Sequence, residues 1–278
     1  MAFDPLRPND RVSFQPDIER VNFREQVGDW YRVIWSQLPF ARTRLSFKSV
    51  GELRWLRGEV PKFLAWYQGD LPELWGVSAP SEAVKVRGFD QFLNAVSTFL
   101  SMRAGYYPQH LLAPPTHFAG RKLLDVGCGA IPFALGFVDC QIYGVDPLTD
   151  EYRALGFPLD QYSDRMTYVK AGAEHMPFED NFFDAVISVN AIDHVDDIAQ
   201  SAREISRVLA PTGTARFEVP YHSPSRLEPL ALSDEAMMTH FHDLGLRKIA
   251  ERIAVEDERV GPGQPDDLEE KITVWAND

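Results

Sequence analysis

From about Lys122 onward, short apolar runs alternate with stretches of helical periodicity. Five runs indicate strands: KLLDVGC, QIYGVDP, MTYVKAG, FDAVISV and TARFEVP. Between the fourth and fifth, DDIAQSAREISRVLAPTG places Ile198, Ala202, Ile205 and Leu209 on one helical stripe. Strands alternating with helices predict a parallel α/β sheet. Two further apolar runs, LRKIAERIAV and KITVWAND, flank a segment rich in Gly, Pro and Asp and predict a terminal antiparallel hairpin.

The first part of the chain has a different pattern. Amphipathic helical periodicity surrounds DIERVNFREQVGDWYRVIWSQL, GELRWLRGEVPKFLAWYQGD and FDQFLNAVSTFLSM. Five of the six tryptophans fall in this part: Trp30, Trp35, Trp55, Trp66 and Trp75. We therefore predict a helical N-terminal cap over residues 1–118 and an α/β domain over residues 119–278, with LAPPTHFAG as the linker.

Composition narrows the classes of function. The chain has 278 residues, 45% hydrophobic and 25% charged, which is typical of globular proteins. Its formal net charge of −13 opposes binding to nucleic acid, which depends on clustered Lys and Arg. No run reaches the roughly 20 apolar residues of a membrane helix, and the start lacks a signal-peptide pattern, so we expect a cytoplasmic protein without membrane contact. Two cysteines are too few for a disulfide framework or a zinc cluster.

The stretch LLDVGCGA joins the first predicted strand to a turn with Gly127 and Gly129. Two residues before Gly127, Asp125 places a carboxylate in an apolar strand, where it needs a partner at the strand's carboxyl end. Asp146 ends the second strand, where a carboxylate can accept hydrogen bonds from both ribose hydroxyls. That spacing also fits an NAD site, but the third small residue of the dinucleotide fingerprint is replaced by Pro132. Proline suits the first turn of a helix, so we expect a helix to start there.

DVGCG with its leading acid resembles motif I of the class I S-adenosylmethionine-dependent methyltransferases. The stretch AGAEHMPFEDNFFDAVISVNAIDHVDD and the element REISRVLAPTGTARFEVP resemble the ubiquinone-methylase-like group of that class. The resemblance spans roughly residues 122–220. It departs at Gly172, where the group commonly carries Asp or Asn toward the adenine amino group, and at Thr212, where it carries Gly.

The resemblance implies a Rossmann-like fold, a seven-stranded mostly parallel sheet, and S-adenosylmethionine as cofactor, with S-adenosylhomocysteine as product. It places the glycine turn around the methionine moiety, Asp146 at the ribose, and Ala173 and Glu174 at the adenine. An acidic pocket would favour the sulfonium cation, with Asp125 and Glu174 contributing to the field. The cofactor-binding residues we expect are Asp125, Gly127, Cys128, Gly129, Asp146, Pro147, Leu148, Ala173, Glu174 and Asn190.

Two histidines follow predicted strands at the edge where open α/β sheets bind ligands: His194, beside Asp193, and His222. Either can serve as the base that takes a proton from an acceptor hydroxyl. His194 can equally just open the following helix, with a neighbouring acid as N-cap. Tyr221 and His222 lie in a loop of the kind that contacts substrate. The acids around His194 favour helix-dipole partners over metal ligands, so we expect no metal.

We predict an S-adenosylmethionine-dependent O-methyltransferase acting on a hydroxyl of a small polar acceptor, such as a sugar or oligosaccharide, bound by the N-terminal region. The whole chain resembles, faintly, actinobacterial sugar O-methyltransferases. The NAID stretch after the fourth strand lacks the motif for methylating base nitrogens, which disfavours nucleic-acid acceptors. Three alternatives stay open: methylation of a quinone, polyketide or other metabolite at carbon or oxygen; an NAD-linked oxidoreductase; and a cofactor-binding protein without catalysis. The oligomeric state is not predicted.

Overall fold

The computed structural model describes residues 47–80, 89–221, 230–253 and 269–277. Its helices are α1 Phe47–Gln68, α2 Phe89–Met102, α3 Tyr106–His110, α4 Thr149–Ala154, α5 Ile198–Val208 and α6 Asp234–His242. Its strands are β1 Glu73–Leu74, β2 Val77–Ser78, β3 Lys122–Val126, β4 Gln141–Val145, β5 Met166–Val169, β6 Phe183–Val189, β7 Leu209–Tyr221, β8 Leu246–Ile253 and β9 Glu269–Asn277.

The main sheet has seven strands in the order β5-β4-β3-β6-β7-β9-β8. Neighbours from β5 to β7 run parallel, whereas β9 pairs antiparallel with both β7 and β8. This confirms the predicted α/β sheet and its terminal antiparallel pair. Because parallel strands end at one edge, the residues after β3, β4, β6 and β7 come together there.

Helices cover both faces of this sheet. On one face, α5 buries the apolar stripe formed by Ala202, Ile205 and Val208. Its N-cap is Asp197, whose carboxylate accepts a hydrogen bond of 2.9 Å from the Gln200 N–H. Since the stripe was readable from helical spacing, this crossover helix confirms its prediction.

On the other face, α1, α2 and α3 share one apolar core with the sheet. The aromatic side chains of Phe63, Trp66 and Phe99 are fully buried there and pack edge to face. The predicted helix FDQFLNAVSTFLSM coincides with α2, and the second N-terminal pattern corresponds to α1. This packing places the N-terminal helices directly over one half of the sheet.

The connection after β3 differs from the expected helix. Pro132 stands at a helix start, but only a four-residue 3₁₀ helix, Phe133–Gly136, follows it. Gly136 packs against the segment after α2, where a Cβ would come within 2.2 Å of the Ala104 carbonyl oxygen. The N-terminal helices thus occupy the space against which a longer helix would lie.

The helix predicted over residues 17–38, the loop over 256–267 and His222 lie outside the described residues. Within the described ranges, no helix is both long and apolar enough to cross a bilayer.

Candidate active site

The turn after β3 is built on two glycines with left-handed backbone. Gly127 has φ 72° and Gly129 has φ 60°, conformations that L side chains rarely adopt. The Gly127 N–H donates to the Val145 carbonyl at the end of β4, at 2.9 Å. A Cβ at Gly127 would lie 2.3 Å from the Cβ of Ala191, so this position requires glycine for space as well as for backbone conformation.

Asp146 ties that turn to the end of β4. One carboxylate oxygen, Oδ2, accepts a hydrogen bond from the Gly129 N–H at 3.1 Å, and Oδ1 accepts one from the Leu148 N–H at 2.8 Å. These bonds fix the carboxylate at the strand tip, with Pro147 and Leu148 continuing the loop. Burial raises the pKa of Asp146 to about 7.

Asp125 lies inside β3 and is fully buried. Neither of its carboxylate oxygens has a hydrogen-bond partner within the described part of the chain. Burial, and then the charge of Asp146, raise the pKa of Asp125 to about 8. The partner expected for this acid is therefore not supplied by the described protein groups, and a cationic or hydrogen-bond-donating ligand would meet an unsatisfied need.

A third carboxylate reaches this edge from α1. The Tyr152 hydroxyl donates to Glu52 Oε1 at 2.6 Å, and Tyr152 lies near Asp146, where it partly opposes the rise in pKa that burial causes. Nothing in the sequence indicated Glu52 or Tyr152, because their contact joins positions 100 residues apart.

Four more of the predicted cofactor-binding residues differ in their burial and hydrogen bonds: Cys128, Ala173, Glu174 and Asn190. The Cys128 thiol is buried against Gly144, and burial raises its pKa well above the ordinary range, so the sulfur stays protonated. Ala173 is buried in the core, and Glu174 Oε1 accepts hydrogen bonds from two backbone N–H groups just before α5. Asn190 follows β6 with φ 49°, and its N–H donates to the Glu218 carbonyl at 3.0 Å.

The catalytic candidates lie on the short 3₁₀ helix Ile192–His194 after β6. His194 Nε2 is 3.5 Å from Asp193 Oδ2, and Asp193 is fully buried. At the end of β7, the Tyr221 hydroxyl donates to Asp234 Oδ1 at 3.3 Å. His194 and Asp193 are thus brought together, whereas Tyr221 contacts the start of α6.

A buried histidine–carboxylate pair, which the sequence did not predict, joins α3 to β7. His110 Nδ1 on α3 lies 2.5 Å from Glu218 Oε1 on β7, and both side chains are buried. Glu218 carried a readable signal, since it is an acid within an apolar strand, as Asp125 is. His110 carried none, because its significance comes only from the distant strand that it meets.

Helix α1 and the β1–β2 hairpin form an open groove of about 320 Å³. Trp55, half exposed, stacks on Trp75 with ring centroids 5.5 Å apart. Glu59 accepts hydrogen bonds from Trp75 Nε1 at 3.0 Å and from Lys62 Nζ at 2.7 Å. The groove therefore combines an aromatic face with charged and hydrogen-bonding groups.

Within the described ranges, no group of three or more His, Cys, Asp and Glu side chains is placed to hold a metal ion. The glycine turn, the strand-tip acid Asp146 and the buried carboxylate of Asp125 lie together at the carboxyl edge of the sheet, in a Rossmann-like fold. Residues 124–217 match the model of the methyltransferase domain family. This stretch, about a third of the chain, thus resembles the S-adenosylmethionine-dependent methyltransferase domain.

Two curated relatives illustrate the match. An uncharacterized methyltransferase of Mycolicibacterium paratuberculosis is 36% identical over 138 residues, which cover 49% of this chain and 51% of that protein. A sterol 24-C-methyltransferase, erg6 of Schizosaccharomyces pombe, is 31% identical over 140 residues, covering 48% of this chain and 34% of that protein. The chain thus spans about half, or less, of the length of these relatives.

Among solved structures, the [4+2]-cyclase SpnF aligns with a TM-score of 0.53 at 16% identity, covering 84% of this chain and 97% of that one. At this identity the likeness supports the shared fold alone.

The cofactor of such a domain is S-adenosylmethionine, and the described residues fit it. Among the described residues, the buried carboxylate of Asp125 has no hydrogen-bond partner, which suits it to a cationic group. Gly127 and Gly129, both with positive φ, give the turn beside it a backbone without side chains. The methyl donor therefore has a complementary site in this chain.

Proposed function

We propose that this protein transfers a methyl group from S-adenosylmethionine to a hydroxyl of a small polar acceptor, such as a sugar or oligosaccharide. The observation that carries the proposal is the buried carboxylate of Asp125, which has no hydrogen-bond partner among the described residues. It lies beside the glycine turn and Asp146, within the stretch that matches the methyltransferase domain. S-adenosylmethionine supplies an electrophilic methyl carbon, so the residues of the chain must bind, orient and exclude water.

In this proposal the turn residues Gly127, Cys128 and Gly129 surround the methionine part. Asp125 faces its ammonium group, and Asp146 accepts hydrogen bonds from the ribose hydroxyls. Pro147, Leu148, Ala173, Glu174 and Asn190 line the adenosine side. Holding the reacting atoms in a near-attack geometry is worth about 7–11 kcal/mol of the barrier, which is where most of the catalysis would come from.

The groove beside Trp55 supports a carbohydrate acceptor. Glu52, Trp55 and Glu59 are spaced by three and four residues along α1 and so share one stripe of the helix. Trp55 follows Glu52 by about 4.5 Å along the helix axis. A sugar bound against Trp55 would have Glu59 and Lys62, which also line the groove, within reach of its hydroxyls.

We assign the base to His194, oriented by Asp193, with His222 as the second candidate and with Tyr221 and His222 as acceptor contacts. His194 →Ala should lower kcat by about 10²–10⁴ while leaving the Kd for S-adenosylmethionine within about twofold. The measurement is S-adenosylhomocysteine release on a panel of sugars and oligosaccharides. His242→Ala, on an exposed position of α6, is the matched control. An unchanged kcat in His194→Ala and in His222→Ala would remove the base assignment.

Carbon methylation is the second candidate, because a curated sterol 24-C-methyltransferase aligns with half of this chain. It would be favoured if NMR of the product placed the new methyl group on carbon instead of oxygen. The NAD-linked alternative is set aside, because residues 124–217 match a methyltransferase domain. The cytoplasm is the proposed location, and nucleic acid is disfavoured as acceptor by the net charge of −13.

A further inference from the structure

Glu52 lies outside the matched domain yet reaches its cofactor edge. It lies in α1, 72 residues before the start of the match to residues 124–217. Its carboxylate accepts the Tyr152 hydroxyl at 2.6 Å, and Tyr152 in turn contacts Asp146. The N-terminal helix thus adds a charged group to a pocket otherwise built from the sheet.

Three carboxylates therefore share this pocket: Glu52, Asp125 and Asp146. Within the described ranges, none of them forms an ion pair with Lys, Arg or His. Asp125 is fully buried and has no hydrogen-bond partner there, so the cluster contains an unsatisfied group. Those carboxylates of the cluster that are ionised attract a cation more strongly in a low-dielectric site than they would in water.

The methyl donor and the product formed from it differ in charge. S-adenosylmethionine carries a sulfonium cation that S-adenosylhomocysteine lacks, while the adenine, ribose and amino-acid groups are common to both. A hydrogen bond to a common group cannot distinguish them, but a net negative field can.

We propose that Glu52 is a specificity-determining residue of the cofactor pocket, whose carboxylate favours the cationic methyl donor over the neutral thioether product. The inference rests on the proposed function, since it requires both ligands to bind at the glycine turn. It assigns to the N-terminal helix the task of limiting product inhibition.

The test is isothermal titration calorimetry of S-adenosylmethionine and S-adenosylhomocysteine, without acceptor, on the full chain and on Glu52→Gln. Gln keeps a hydrogen-bond acceptor for Tyr152 and removes only the charge. We expect the Kd of S-adenosylmethionine to rise about fivefold and that of S-adenosylhomocysteine to change less than twofold. Glu235→Gln, on the exposed first turn of α6, makes the same charge change elsewhere and should leave both values unchanged.

Equal losses for the two ligands, or no loss for either, would overturn the inference while leaving the proposed function intact. Failure of the wild-type chain to bind either ligand would instead refute the proposed function.

Discussion

At the scale of single residues, two buried carboxylic acids, Asp125 and Asp146, lie at the sheet edge beside the glycine turn. Asp125 and Asp146 have pKa values of about 8 and about 7, raised from 3.8, chiefly by burial. In the unfolded chain both acids ionise near pH 4, whereas in the folded chain they hold their protons to near neutrality. Folding therefore takes up protons between these pH values.

The sign of the resulting pH dependence follows directly. The pKa values of Asp125 and Asp146 are higher in the folded chain than in the unfolded chain. Their contribution to the free energy of unfolding is therefore fully present below about pH 4 and is lost as the pH rises through about 7 to 8. Binding of the cationic cofactor favours the ionised acids, so its affinity should increase from pH 6 to pH 8.5 with proton release. Calorimetry in two buffers of different ionisation enthalpy measures that release.

Asp125→Asn provides the comparison for this prediction. It keeps the shape of the side chain and removes one titrating group, so the proton release and the pH dependence of affinity should both decrease. If the wild-type affinity is flat across this pH range, the acids do not titrate with the cofactor.

Sequence reasoning reached part of this residue set. Asp125 and Asp146 stood out because a charge in or at the end of an apolar strand demands a partner. Glu52, Tyr152 and His110 could not be found in the same way, because each acquires its partner only when distant segments pack together.

At the scale of elements, the turn from β3 toward β4 is where conformation and space are both constrained. The left-handed backbone of Gly127 is strained for any other residue, and the Cβ of Ala191, after β6, fills the space where a side chain would go. The cofactor turn is thus held in place by the end of a neighbouring strand as well as by its own hydrogen bonds.

Gly127→Ala should therefore reduce the affinity for S-adenosylmethionine more than about tenfold and lower the Tm, through steric overlap and backbone strain. In Gly127→Ala/Ala191→Gly the overlap at 2.3 Å is removed while the strain remains, so part of the lost Tm should return. Differential scanning calorimetry and cofactor titration of the two variants measure these terms. Wild-type behaviour of the single variant would contradict the turn's assigned role.

The regular elements were more predictable than their connections. FDAVISV coincides with β6 and FDQFLNAVSTFLSM with α2, because each carries an uninterrupted periodic pattern. β7 begins at Leu209, before the predicted TARFEVP, and the helix expected after Pro132 is only a 3₁₀ helix. Both differences come from neighbouring segments, which local periodicity does not report.

At the scale of the whole molecule, α3 is fastened to the sheet by polar side chains of β7. Arg216 Nη1 donates to the carbonyls of Leu111 and Leu112, at 2.8 and 3.0 Å, just after α3. His110 and Glu218 form their buried pair one step along the same face of the strand. These contacts join the N-terminal helices to the half of the sheet opposite the glycine turn.

His110→Leu should destabilise the protein by about 3–5 kcal/mol, because it removes the histidine from a carboxylate that stays buried. His110→Leu/Glu218→Leu removes both partners and should recover a large share of that loss. Urea unfolding followed by circular dichroism gives both free energies. If the double variant loses as much stability as His110→Leu and Glu218→Leu lose in sum, the two residues are not coupled.

The position of β9 has a consequence for how the chain matures. This last described strand lies inside the sheet, between β7 and β8, which precede it in the chain. During synthesis on the ribosome, β7 and β8 therefore emerge without their common neighbour and leave backbone groups open to foreign strands. A nascent chain without β9 lacks the strand that joins β7 to β8. Translation arrest before β9 is complete should therefore yield protein that is prone to aggregation.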